Sequence, residues 1–222
     1  MIPVYILIRT SHRPKFFASL MDSIKRQTYP EIVTIVHSDD ATDSYVTGDI
    51  VLHGEASNVG AFPANVYCNR LLDAIPEEGW YHFVDDDDEY FDETSIEHLV
   101  NFAKRDCFNV CHIRRGKVII PENWKGSNIG YQTESFFLHT DHRDKARWKS
   151  NVAGDIDYSR QLTKIMPINW INTIACKTQV VKGMGEGSGM RRDKDFTISH
   201  PQPLVWSKPQ RKIRNRLVVL NK

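Results

Sequence analysis

Trp80-Tyr81-His82-Phe83-Val84-Asp85-Asp86-Asp87-Asp88 decides how the chain is read: an apolar, aromatic run breaks into four consecutive aspartates. Glu89, Asp92 and Glu93 follow, so seven carboxylates fall within nine residues. Like charges at that density are costly in a folded domain unless water, basic partners or a cation neutralise them. On an extended strand Asp85 and Asp87 point to one side and Asp86 to the other, which aims two carboxylates at one ion. Hard oxygen ligands suit Mg2+, Mn2+ or Ca2+ rather than zinc. The competing reading is a solvated acidic loop.

Outward from that strand the chain alternates strand and helix. Residues 4–8 form a continuous apolar run, the mark of a strand buried on both faces. A helix is predicted over 14–27, with Thr10 or Ser11 as cap, Pro14 in its first turn and Phe17, Leu20, Met21 and Ile24 as its apolar stripe. Strands follow over 32–36 and 49–52, and helices from 62 or 63 to 75 and over 95–104. This rhythm predicts an α/β fold with a largely parallel sheet, where ligands gather at the carboxyl ends of the strands. Arg9-Thr10, Ser38-Asp39-Asp40 and the aspartate run all fall at such ends. The second half reads as more β-rich, with strands over 108–114, 117–120, 135–139 and 168–176 and a short helix opening at Gly154-Asp155-Ile156-Asp157. Four glycines between 183 and 189 mark a turn or lid. The expected division is 1–104, 105–200 and a tail over 201–222.

With 222 residues, 41% hydrophobic and 26% charged, the chain has the make-up of an ordinary globular domain. A net charge of +1 argues against bulk nucleic-acid binding, yet residues 190–222 carry nine Lys or Arg against two Asp. Cys68, Cys107, Cys111 and Cys176 lack paired metal-ligand spacing and read as reduced packing residues. No charged leader precedes residues 4–8 and no window nears the roughly twenty apolar residues of a membrane helix. The expectation is a cytoplasmic protein without a transmembrane segment.

Arg9-Thr10 with Arg13-Pro14, then Ser23-Ile24-Lys25-Arg26-Gln27-Thr28-Tyr29-Pro30, the strand end at 36–40, Asn58-Val59-Gly60, Ala64-Asn65 and the aspartate strand stand in that order. The series resembles family 2 glycosyltransferases over about residues 4–90. The resemblance implies a GT-A fold: a nucleotide-sugar-binding half (1–104) joined to an acceptor-binding half (105–200). It also implies a nucleotide-diphospho-sugar donor, with a UDP-sugar expected, and Mn2+ or Mg2+ as cofactor. By the same resemblance Asp87 is the chief metal ligand, Asp85 serves the metal through water or the ribose, and Asp86 belongs to the nucleotide-sugar site. Asp39 would take a nucleobase N–H, Thr10 the base or ribose, and Arg9 a phosphate or Asp39. Asn58, Gly60 and Asn65 would line the nucleotide pocket, with turn formation and helix capping the competing account of the asparagines.

Gly154-Asp155 stands where the family carries an acidic pair. Asp155, with Asp157 as competitor, is therefore expected to take the acceptor hydroxyl's proton in an inverting transfer. His200 would complete the metal shell and Arg191 and Arg192 would close over the diphosphate, against a bland reading of each as a surface residue. Trp148 reads either as an acceptor platform or as core. The expected acceptor is a glycan hydroxyl; the alternative is a hydroxymethylated base in viral DNA, to which the basic tail would add salt-sensitive phosphate contacts. Two other classes fit less well. A nucleotidyltransferase would want a glycine-rich phosphate loop where Arg9-Thr10-Ser11-His12-Arg13-Pro14 stands, and a carbohydrate- or calcium-binding module would require neither Asp155 nor a nucleotide site.

Overall fold

The first strand, β1 (Val4–Thr10), is buried at every position from Val4 to Ile8 in the computed structural model, which describes residues 1–54, 63–121, 132–151, 153–181 and 185–186. Its alternation feeds two cores. Val4, Ile6 and Ile8 join Phe17, Leu20 and Ile24 of α1 (Pro14–Lys25) and Ile96 and Leu99 of α3 (Ser95–Phe102). Tyr5 and Leu7 join Cys68, Leu71 and Leu72 of α2 (Pro63–Asp73) and Tyr158 and Leu162 of α4 (Gly154–Thr163). A period of two in the strand meets a period of 3.6 in the helices, so two helices settle on each face.

The remaining strands are β2 (Ile32–Ser38), β3 (Ile50–His53), β4 (Trp80–Asp85), β5 (Asp88–Tyr90), β6 (Phe108–Arg115), β7 (Val118–Ile120), β8 (Phe136–His139) and β9 (Ile168–Thr178). They form one nine-stranded sheet of order β3-β2-β1-β4-β8-β6-β9-β5, with β7 paired to β6. β3, β2, β1 and β4 run parallel. β8 is antiparallel to both β4 and β6, while β6 and β9 are parallel. A separate short pair joins β10 (Val180–Val181) to β11 (Gly185–Glu186). The α/β fold expected from the sequence is present, and both halves of the chain share one sheet.

Two local expectations are corrected. α1 begins after Arg13 with no side-chain cap, because Thr10 remains in β1 and its hydroxyl is used elsewhere; Pro14 does occupy the first turn. Part of the acidic run is not a loop, since Asp88–Tyr90 forms β5, antiparallel to β9. No local alternation marks a three-residue strand whose partner lies far along the chain. All four cysteines are free, and Cys68, Cys111 and Cys176 are buried. Among the described residues no helix is long and apolar enough to cross a membrane.

Leu7 is 1% exposed in the central strand. Leu7→Ala is expected to cost about 2–5 kcal/mol through lost transfer energy and the cavity left behind. Urea unfolding checks it, and an unchanged midpoint would contradict the two-core packing.

Candidate active site

Parallel pairing places the carboxyl ends of β1, β2 and β4 side by side, with Arg9 in register with Asp85 and Thr10 with Ser38. Arg9 reaches across this register. Its Nε donates to Asp85 Oδ1 at 3.0 Å and a terminal nitrogen donates to the same oxygen. Burial works against the Arg9 charge, but Asp85 more than restores it and the guanidinium stays firmly protonated. The same pairing, aided by Arg13, outweighs burial at Asp85 and holds its carboxyl below the ordinary value.

β4 stops at Asp85, and Asp86 and Asp87 turn the chain into β5. This bend cancels the simple alternation expected for the four aspartates. Asp86 does not face away from its neighbour: Arg13 holds both. Its Nε donates to Asp86 Oδ2 at 3.1 Å, a terminal nitrogen pairs with Asp86 Oδ1, and the other terminal nitrogen lies 3.2 Å from Asp87 Oδ2. Such a two-pronged guanidinium contact fixes orientation as well as charge. Thr10 Oγ1 donates to Asp86 Oδ2 at 2.7 Å, so this hydroxyl serves the acidic turn.

The β1–α1 turn is stapled to the segment after β2. His12 has φ of 52°, the left-handed region that side chains rarely occupy, and its backbone N–H donates to Asp43 Oδ2 at 3.3 Å. Ser38 Oγ donates to the same oxygen at 2.7 Å. Tyr45 OH accepts the Arg13 N–H at 3.1 Å and lies 2.9 Å from Thr10 Oγ1. Asp39 sits beside this staple, its N–H donating to Thr10 O at 3.3 Å. Burial pushes its carboxyl up to about 6, against a hydrogen bond from Ser11 and the Arg9 charge.

A further acid comes from the second half. Glu134, in the turn Thr133–Ser135, is 1% exposed. Burial, then Asp88 and Asp85, push its carboxyl well above the usual range. Burial with Asp87 and Asp85 likewise pushes Asp88 up to about 7. The turn is anchored by His82, which burial lowers to about 4 and keeps neutral. His82 Nε2 faces the Glu134 carbonyl at 2.8 Å and must donate, so Nδ1 accepts from Tyr90 OH at 2.9 Å.

The two candidate bases on α4 separate clearly. Asp157 Oδ2 accepts from Asn151 Nδ2 at 2.5 Å and Asp157 Oδ1 lies 3.7 Å from Arg160. Asp155 Oδ1 accepts a local bond from the Ile156 N–H at 2.8 Å. Burial raises its carboxyl, and the charges of Arg9 and Asp85 act on it. Asn65 donates to the carbonyls of Lys149 and Asn151. A side chain at Gly154 would run into Asn65, so this glycine permits the close approach of α2 to α4. Trp148 is core: it stacks on Tyr158 at 4.7 Å between centroids and meets Phe83 edge-on. Asn58, Gly60, Arg191, Arg192, His200 and the 201–222 tail lie outside the described residues.

Among the described residues no group of three or more His, Cys, Asp or Glu is arranged as a ready ion shell. The donor chemistry nonetheless fits a hard divalent cation. Carboxylates outnumber the guanidiniums around Asp85–Asp88, and oxygen donors of this kind are what such an ion takes. Asp43, Tyr45, Glu134 and Gln179 belong to the site's framework but carry no motif signal, whereas Arg13 stands in the Arg13-Pro14 piece of the resemblance. Gln179 Nε2 donates to the carbonyls of Asp86 and Asp88, which only the folded arrangement brings within reach.

No protein-family model matches the chain, and no curated protein sequence matches it significantly. Solved structures do. TarS from S. aureus in complex with UDP-GlcNAc superposes with a TM-score of 0.63 at 14% identity, over 80% of this chain and 58% of that one. Another TarS structure gives 0.61 at 12% identity, over 81% and 37%. Mannosyltransferase PcManGT from Pyrobaculum calidifontis, in complex with GDP-Man and Mn2+, gives 0.60 at 14% identity, over 82% and 58%.

The chain has the GT-A fold.

It spans between 37% and 58% of the length of these three structures. Within the GT-A sheet, Asp39, Asp85–Asp88 and Asp155 lie at strand ends or a helix start around Arg9, whose charge acts on Asp39, Asp85 and Asp155 alike.

Asp39 sets a pH expectation. Its folded value of about 6 exceeds the ordinary 3.8, so the folded state binds more protons between those values. Its contribution to stability therefore declines as pH rises through that interval and levels off above about 6. Asp39→Asn should be more stable than the parent at pH 7, the gap closing towards pH 4. Unfolding titrations at both pH values check it; a gap independent of pH would refute the assignment.

Proposed function

We propose that the chain is a glycosyltransferase that moves a sugar from a nucleotide-diphospho-sugar to a hydroxyl of a glycan acceptor, with inversion at the anomeric carbon. The observation that carries this reading is the grouping of Asp39, the Asp85–Asp88 turn and Asp155 around Arg9 at the carboxyl edge of a GT-A sheet. Support also comes from the neighbours, solved with UDP-GlcNAc or with GDP-Man and Mn2+. In this reading residues 1–104 hold the donor and 105–200 the acceptor.

Asp39 accepts an N–H of the nucleobase, a role that needs the ionised carboxyl and so favours pH above about 6. UDP-sugars are the favoured donors. Asp87, with Asp85, holds a divalent cation, Mn2+ or Mg2+. When bound, that ion stabilises the charge developing on the leaving diphosphate. Arg9 and Arg13 keep the acidic turn folded and limit its repulsion. Asp155 takes the proton from the acceptor hydroxyl as that oxygen bonds to the anomeric carbon and the bond to the diphosphate oxygen breaks. Its raised affinity for protons suits it to the task. Asp157, held by Asn151, positions the start of α4.

Calorimetry with UDP, GDP, CDP and dTDP, with and without Mn2+, tests the donor side. Metal-dependent preference for one nucleotide is expected, and no binding to any of them would refute the reading. Asp87→Asn should remove the metal's effect on affinity. Asp155→Asn should leave nucleotide affinity unchanged and lower turnover by about 10²–10⁴-fold, the usual contribution of a general base. Full turnover in Asp155→Asn would instead move the role elsewhere.

A further inference from the structure

Gln179 follows β9 and is 1% exposed. Its Nε2 lies 2.7 Å from Asp88 O, 2.9 Å from Asp86 O and 3.0 Å from Phe16 O. Its backbone N–H donates to Asp87 O at 2.9 Å. The carbonyls of three successive aspartates therefore converge on one residue, which also ties them to α1. Chemistry decides the amide orientation: only the NH2 end can meet three carbonyls, and the reverse would set oxygen against oxygen. Among the described residues Oε1 is buried without a hydrogen-bond partner, which is unfavourable, so the nitrogen's contacts hold the side chain in place.

We propose that Gln179 is a positioning residue for the acidic turn, fixing the peptide planes on either side of Asp87 and hence the direction in which its carboxylate meets a cation-bound nucleoside diphosphate. The ligand half of this statement rests on the transferase reading; the clamp itself does not. Four adjacent aspartates repel one another and favour an open turn. Arg9 and Arg13 neutralise side chains, whereas Gln179 acts on the backbone. Leucine at this position would keep the bulk and the backbone N–H on Asp87 O, and remove the side-chain donor.

The test compares Gln179→Leu with the parent and with Leu99→Ala, a core variant in α3 whose apolar side chain makes no hydrogen bond to the turn. Hydrogen exchange is followed in peptides covering 85–90 and 95–102, and affinity for UDP is measured with and without Mn2+. In Gln179→Leu, exchange over 85–90 should rise about tenfold, the scale of one lost hydrogen bond, while 95–102 keeps its protection. Affinity for Mn2+–UDP should fall about tenfold, with metal-free affinity unchanged. Leu99→Ala should not alter affinity. Unchanged exchange over 85–90, an equal rise in both peptides, or an unaltered Mn2+–UDP affinity would each overturn the proposal. If the parent shows no metal-dependent nucleotide binding, the transferase reading and the ligand half fall together, and exchange alone decides the clamp. Should Gln179→Leu fail to fold, Gln179→Asn, which draws the amide back by one methylene, is read by the same criteria.

Discussion

Four aspartates in a row survive in a folded chain because Arg9 and Arg13 arrive from the neighbouring strand end. Parallel pairing of β1 with β4 sets Arg9 opposite Asp85, and the β1–α1 turn carries Arg13 to Asp86 and Asp87. Removing Arg13 would leave the buried Asp86 carboxylate with the Thr10 hydroxyl but no opposing charge in contact, a larger penalty than the net worth of an intact pair. The balance is incomplete. Asp88 and Glu134 hold protons more tightly, first because they are buried and then because neighbouring carboxylates oppose their charge. A framework of this kind is short of positive charge, which the proposed divalent cation would supply.

The rest of the architecture serves that strand edge. Alternation in β1 and β4 sends apolar residues to two cores, leaving the carboxyl ends of the strands as the place where polar groups collect. The second half of the chain then closes the site from the other side. Glu134 enters from the turn before β8, Gln179 from the end of β9, and Asp155 from the start of α4. The acidic turn is thus held by residues from both halves, through one continuous sheet. This explains why Asp88–Tyr90 becomes a strand despite its charges: pairing with β9 and burial of Tyr90 outweigh weak local propensity.

Much of this was legible residue by residue. The apolar run at 4–8, the stripe Phe17-Leu20-Ile24 and the run at 80–84 each carry a period that depends only on backbone geometry, so strands and helices could be placed from pattern alone. Strand-end clusters were legible for the same reason: in a βαβ chain the polar residues just after a buried strand must surface at the same edge. Asp39, Asp85–Asp88 and Asp155 were singled out this way or through family resemblance. Gln179 was not, since it lies in no periodic pattern and meets its partners only across the folded sheet.

Residue order therefore determined the α/β class, the two-faced core and the edge where chemistry gathers, because these follow from local periods and charge spacing. The folded arrangement decided which acid pairs with which base. It turned the chain at Asp86 and Asp87 so that both share Arg13, tied Asp157 to Asn151 while leaving Asp155 under the influence of Arg9 and Asp85, and committed Asn65 to the backbone beside α4. Such choices depend on distances of a few ångströms between segments far apart in the chain, and a hydrogen bond or ion pair exists only within that range.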